Sequence, residues 1–134
     1  MTTRAETKPK TVLIVEDNPM LQVGLWHALS TQPALKAIAQ VEDGLSAVST
    51  AIELEPDIAL IDIDLPGIDG ITVTQRIKQV LPNTRVIIFT HYTNPTRVMA
   101  ALSSGANGYC IKGTDIPQLL AAITAVGEGN CYLD

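Results

Sequence analysis

The sequence predicts a doubly wound α/β domain of (βα)5 type, built on a five-stranded parallel sheet. Three observations point there. Short apolar runs alternate five times with helix-like segments. Three of those runs are apolar at almost every position, as expected of parallel strands covered on both faces. The chain has 134 residues, 46% hydrophobic and 17% charged, which suits one domain with one core.

The elements follow in order. MTTRAETKPK (1–10) is polar, contains a proline and lacks the apolar segment of a signal peptide. It reads as a disordered leader, leaving a domain over 11–134. TVLIVE (β1, 11–16) precedes a helix opening at Asn18-Pro19 (α1), a cap residue followed by proline. Leu21, Gly24, Leu25, Ala28 and Leu29 share one face of that helix. LKAIAQV (β2, 35–41) leads to α2 near 44–53, and DIALID (β3, 57–62) to α3 near 70–80. RVIIFT (β4, 85–90) leads to α4 near 95–104, and NGYCIK (β5, 107–112) to α5 near 115–127. In α5, Ile116, Leu119, Leu120, Ile123 and Val126 form an amphipathic stripe. Repeated βα units imply right-handed crossovers, and the expected strand order is 2-1-3-4-5.

A net charge of -5 and a pI near 4.8 disfavour direct contact with nucleic acid or an anionic membrane, both of which need a basic face. No run approaches the ~20 apolar residues that span a bilayer. Cys110 and Cys131 show no CxxC spacing and read as reduced thiols, so the expected location is cytoplasmic.

Open α/β sheets place their sites outside the carboxyl ends of the strands. There β1 delivers Glu16 and Asp17, β3 Asp62, β4 Thr90 and β5 Lys112. The end of β2, Val41-Glu42-Asp43, lies off to one side in the expected order. Three neighbouring carboxylates repel one another unless a cation joins them. Oxygen-only ligands suit Mg2+, which keeps several waters and leaves room for a phosphate oxygen. A carboxylate can itself be the nucleophile and form an aspartyl phosphate. A lysine and a hydroxyl would offset the charge on the transferring group. Taken singly, each residue has an ordinary explanation: Asp64 and Asp69 read as turn residues, and an acidic pair before a helix reads as capping. Their conjunction at one sheet edge carries the inference. GxGxxG and GxxxxGK[ST] are both missing, which argues against a flavin or nucleotide domain. No insertion is long enough for the cap of an aspartyl phosphatase.

VLIVEDNP, LIDIDLPGIDG, VIIFT and GANGYCIK, in that order, resemble the motifs of the response-regulator receiver domain of two-component signalling, over about residues 11 to 134. The resemblance implies a flavodoxin-like fold and a signalling switch rather than an enzyme. It implies Asp62 as the phospho-acceptor, fed by a sensor histidine kinase, with Mg2+ as cofactor. Asp17 would bind the metal directly, Glu16 through water, and Asp64 through its main-chain carbonyl. Asp69 would be a turn residue and Asp57 the entry to β3. Thr90 would be the switch hydroxyl, Tyr109 the aromatic that swings inward, and Lys112 the partner of the carboxylate and then of the phosphate. The α4-β5-α5 surface would follow.

The ending LLAAITAVGEGNCYLD resembles the NarL/FixJ branch, whose receivers usually precede a LuxR-type helix-turn-helix domain that regulates transcription. DNA is expected only through such a C-terminal domain, which this chain does not contain. The stop at Asp134 favours a domain excised from a longer regulator over a natural single-domain protein. A pseudo-receiver acting by protein–protein interaction is the alternative, disfavoured because every phosphorylation residue is in place. Two positions depart from the family: Gly113 stands where many receivers carry proline, and His91 where a small residue is usual. The bulk of His91 is expected to slow entry of the phosphodonor or hydrolytic water. Trp26, with Val23, lies away from the buried stripe of its helix and is expected to form an apolar patch for dimerisation or docking.

Overall fold

The apolar runs become strands because only a sheet lets each bury side chains on two faces at once. In the computed structural model, which describes residues 8–133, these are β1 Lys10–Val15, β2 Leu35–Val41, β3 Ile58–Ile61, β4 Arg85–Thr90 and β5 Gly108–Ile111. Helices α1 Pro19–Ser30, α2 Gly44–Leu54, α3 Gly70–Val80, α4 Pro95–Ser103 and α5 Ile116–Gly127 alternate with them. The leader expected over 1–10 falls mostly outside the described residues, and β1 already begins at Lys10.

The sheet has six strands in the order β2-β1-β3-β4-β5-β6, not five. The added strand is β6, Tyr132–Leu133, parallel to β5 with Gly108 opposite Tyr132. Its cause lies after α5. Gly129 takes a positive φ of 102°, a conformation that suits glycine. The Asn130 amide then donates to the Ala125 carbonyl. That turn, resembling a helix C-cap motif, sends the chain back along the open edge of β5. Two residues are too few to show a strand period.

Alternate strand residues enter separate cores, by the two-residue period of a strand. On one face Val12, Ile14, Ile58, Leu60, Ile87, Phe89 and Cys110 pack under α1 and α5. On the other Leu13, Val15, Ala59, Ile61, Val86, Ile88 and Tyr109 pack under α2, α3 and α4. The α5 stripe is buried at Leu119, Ile123 and Val126, with Ala122 beside them, while Ile116 at the first position of the helix is exposed. In α1 Leu25, Ala28 and Leu29 are buried, but Gly24 faces outward and Gln22 takes the buried place instead.

Every helix has a side-chain cap. Asn18, Asp43, Asp69, Asn94 and Asp115 each accept a backbone N–H of the first turn, which satisfies otherwise orphaned donors. Asp69 is therefore the N-cap of α3, with Oδ1 2.8 Å from the Thr72 amide. At the opposite end of the sheet Asp57 accepts from both the amide and hydroxyl of Thr11, at 2.8 and 3.1 Å, which ties β3 to β1.

Two glycines set how closely α2 and α3 approach the sheet edge. A Cβ on Gly70 would sit 2.1 Å from the Asp62 carbonyl oxygen, and one on Gly44 2.4 Å from the Ile68 carbonyl oxygen. Gly24 meets nothing within 4 Å. Gly70→Ala should therefore lower stability by about 1–3 kcal/mol through forced backbone displacement. Gly24→Ala should raise it by about 0.5–1 kcal/mol, because alanine loses less entropy in a helix interior. Urea denaturation midpoints of the two variants, moving in opposite directions, check both.

Candidate functional site

Because β1 and β3 are adjacent and in register, their first residues beyond the ladder meet. Val15 pairs with Ile61, and the Asp62 amide donates to the Val15 carbonyl at 3.0 Å. Glu16 and Asp62 are thereby drawn into the buried edge, while Asp17 stays exposed. Carboxylate oxygens of Glu16, Asp17 and Asp62 lie within 4.8 Å of one another. The Asn18 amide donates to Glu16 Oε2 at 3.1 Å, and the Gln22 side-chain amide donates to the Glu16 carbonyl.

Lys112 closes the cluster. Its Nζ lies 2.8 Å from Glu16 Oε1 and 3.1 Å from Asp62 Oδ2. Its backbone is fixed by the bond from its amide to the Thr90 carbonyl, 2.7 Å. Gly113 follows with φ of 110°, which a proline ring, locked near −65°, does not reach.

Burial raises the carboxyl of Asp62 above the usual aspartate range, and the charge and hydrogen bond of Lys112 only partly offset it. Burial likewise raises Glu16, against its hydrogen bonds from Lys112 and Asn18. Burial alone would lower Lys112, but its bond to Glu16 and the charges of Asp62 and Glu16 outweigh that and leave it raised. With three carboxylates facing one ammonium, the edge keeps an excess of negative charge. Its donors are all hard oxygens, so Glu16, Asp17 and Asp62 fit a divalent cation such as Mg2+.

Asp64 stands slightly apart. Its amide donates to Asp62 Oδ1 at 3.3 Å, and its own Oδ1 accepts from the Tyr92 hydroxyl at 3.2 Å. Thr90 is fully buried, with its Oγ1 3.4 Å from the Tyr92 amide. Tyr109 is also buried, and its hydroxyl donates to the Tyr92 carbonyl at 2.7 Å, so its ring is in the inward position. Asp43 lies off to the side and caps α2; hydrogen bonds from Ser46 hold its carboxyl low.

The structure thus brings Glu16, Asp17, Asp62 and Lys112 together, with Thr90, Asp64 and Tyr109 linked through Tyr92. Sequence reasoning missed Tyr92 and Gln22. Tyr92 sits two residues beyond Thr90, so the polar-aromatic HYTNP loop was the available signal. Gln22 is a polar residue on an otherwise apolar helix face, which is itself a sign of a buried partner. His91 is exposed and lines a cavity of about 500 Å3 on the α1/α5 side with Asn18, Phe89, Lys112 and Gly113.

Fold and site together define a class: α/β domains with an acidic, lysine-buttressed pocket at the carboxyl edge of a parallel sheet. Within that class the chain belongs to the response regulator receiver domain family, whose description matches residues 12–124. It is 35% identical to the response regulator protein VraR of Staphylococcus saprophyticus, covering 86% of this chain and 55% of that one. It is 28% identical to the nitrate/nitrite response regulator NarL of Escherichia coli K12, covering 94% and 58%. A LuxR-family two-component response regulator from an Aurantimonas species superposes with a TM-score of 0.88 at 30% identity, covering 92% of this chain and 89% of that one. The chain spans about half the length of the curated relatives it matches. These relatives accord with the NarL and LuxR group.

The raised pKa of Asp62 has a consequence for stability. The folded state holds this proton more tightly than the unfolded chain. The carboxyl therefore adds stability below about pH 3.9, the unfolded value, and that contribution is lost as pH rises through the folded value. At pH 7 the ionised group weakens the fold. Asp62→Asn should accordingly raise Tm at pH 7, and the gain should shrink as pH falls below about 4. Calorimetry of both proteins at pH 7 and pH 3.5 checks the sign.

Proposed function

We propose that this domain is a phosphorylation-dependent switch in which Asp62 accepts a phosphoryl group from the phosphohistidine of a sensor kinase. One observation carries the reading: the buried Asp62 carboxylate is bonded to Lys112 and lies beside Glu16 and Asp17. An oxygen of Asp62 attacks phosphorus in line, an aspartyl P–O bond forms, and the P–N bond to the kinase imidazole breaks. The departing nitrogen keeps the bonding pair. Glu16, Asp17 and Asp62, with the Asp64 main-chain carbonyl, would hold Mg2+, which when bound supplies positive charge to the transferring oxygens.

Lys112 then turns from the carboxylates to the new phosphoryl oxygens. The Thr90 hydroxyl turns from the Tyr92 amide toward the same group, and the α4-β5-α5 surface adjusts with it. The domain modifies itself and turns over no external product, so it acts as a switch and not as an enzyme. Because relatives of similar sequence are about twice as long, the output we infer is transcription regulation through a C-terminal helix-turn-helix domain. DNA would be contacted only by that domain. The receiver itself would span residues 11–134. No helix among the described residues is long and apolar enough to cross a membrane. The location we infer, from the receiver reading, is cytoplasmic.

Intact mass after incubation with acetyl phosphate, with and without Mg2+, tests the acceptor. Wild type and Asp64→Asn should each gain one phosphoryl group only with Mg2+, and Asp62→Asn should gain none. An unmodified wild type would leave the pseudo-receiver reading in its place. The decay of the modified protein compared with His91→Ala checks the steric role of His91, and equal decay rates would dispose of that role.

Self-association is the second inferred interaction. Met20, Val23 and Trp26 recur on the outer face of α1, exposed by 84, 67 and 39%. We infer a homodimer that covers this patch. Sedimentation should show a dimer that Trp26→Ala disperses; a monomer with and without phosphorylation would count against it.

A further inference from the structure

Asp17 is held differently from the two carboxylates beside it. Glu16 and Asp62 are buried and bonded, whereas Asp17 is exposed. Among the described residues no hydrogen bond or ion pair reaches its side chain. One of its oxygens nonetheless lies within 4.8 Å of oxygens of Glu16 and Asp62. What places it is the main chain it hangs from. The Glu16 amide donates to the Val41 carbonyl at 3.0 Å, and the Asn18 amide donates to Glu16 Oε2 at 3.1 Å. Between these two ties lies the Glu16–Asp17 peptide, whose carbonyl accepts from the side-chain amide of Gln22. Gln22 stands near the start of α1, its own amide bonded to the Asn18 carbonyl at 3.0 Å. It precedes Leu25 and Leu29 by three and seven residues, the spacing of one helix face, and is buried with them. A side-chain amide in such a place is unfavourable unless it is bonded. Here the bond goes to the peptide that joins the two acidic residues of β1.

We propose that Gln22 is a positioning residue for the divalent cation: by holding the Glu16–Asp17 peptide it fixes the Asp17 carboxylate beside Glu16 and Asp62 and so sets the affinity of the site for Mg2+. The proposal rests on the reading of these three carboxylates as the metal site. An exposed carboxylate on an unrestrained peptide must be ordered when the cation binds, and that ordering subtracts from affinity. A peptide already held presents the oxygen without that cost. Groups that orient metal ligands change affinity by about 10- to 100-fold when they are removed. Gln22 acts through the main chain, so its loss should weaken binding and leave the filled site unaltered. The defect should therefore disappear at saturating Mg2+, which distinguishes placement of a ligand from damage to the acceptor.

Gln22→Met removes the donor while keeping the length and burial of the side chain, and Gln22→Asn keeps the amide but shortens its reach. Ala28→Gly, on the same buried face of α1, loosens the helix without touching Glu16. Asp17→Asn removes the ligand itself. Each protein is titrated with MgCl2 alone, and Kd is read from the NMR shifts of backbone amides 16–18. Urea denaturation without metal gives the stability of each, and intact mass follows phosphoryl gain from acetyl phosphate across Mg2+ concentrations. The expected result is a Kd raised about tenfold in both Gln22 variants. Ala28→Gly should lose stability and keep the wild-type Kd. Phosphoryl gain in Gln22→Met should match wild type once Mg2+ saturates. A wild-type Kd in the Gln22 variants would overturn the positioning role and leave the metal site standing. So would a Kd that follows stability across all the α1 variants. A wild type that binds no Mg2+, or an Asp17→Asn variant that binds it equally well, would overturn both.

Discussion

The ammonium of Lys112, wedged between Glu16 and Asp62, is the interaction on which the rest of this edge depends. Two carboxylates that are buried and adjacent in a parallel sheet repel each other and lose hydration. The sheet register forces them together, since Glu16 and Asp62 each follow directly on paired residues of β1 and β3. Only a cation supplied from the same edge makes that register tolerable. Lys112 comes from β5, two strands away from β3, so its long side chain must cross the end of β4. Phe89 of β4 lies beneath that crossing, its ring centroid 5.9 Å from the Lys112 ammonium.

That arrangement is held at a cost to stability, and the direction of the pKa shifts shows it. Burial raises both carboxyls in spite of the lysine. The edge is short of positive charge in the resting protein. The same shortage makes it receptive to a divalent cation. The two carboxylates are held alike, each by Lys112 on one oxygen and by one backbone amide on the other, Asn18 for Glu16 and Asp64 for Asp62. The Glu16 main chain has a further tie, since its carbonyl takes the Gln22 side chain.

Much of this was legible in the sequence because each key residue is the first polar one after an apolar run. An apolar run fixes the strand, and its end fixes the edge, so Glu16, Asp62, Thr90 and Lys112 follow from one rule. Residues whose role comes from meetings across loops were not legible. Tyr92 has no periodic signature, since its three partners lie on separate segments. β6 is two residues long and exists because Gly129 turns the chain. Gly24 and Ile116 obey the helical period but not the boundary of the sheet beneath: periodicity gives a direction, and only the packed sheet says where cover ends. Gln22 broke the apolar pattern for a reason the pattern does not contain, the Glu16 carbonyl that accepts its side-chain amide.

The inward position of Tyr109 bears on how such a switch can work. Its ring is buried and its hydroxyl is bonded to the Tyr92 carbonyl, which ties β5 to the β4–α4 loop. In the proposed switch, phosphorylation would act by shifting a population between two such arrangements. Moving an equilibrium from 1:99 to 99:1 takes about 5.5 kcal/mol of differential interaction. A hydrogen bond to a charged group contributes about 1.5–3 kcal/mol. In the proposed switch Thr90 would exchange its long contact with the Tyr92 amide for one such bond. Lys112 would exchange two carboxylates for the phosphoryl oxygens and so gain less than a full bond. Those two contacts together fall near or below the requirement for a complete reversal. A switch built on them works only if its resting equilibrium is already close to balance.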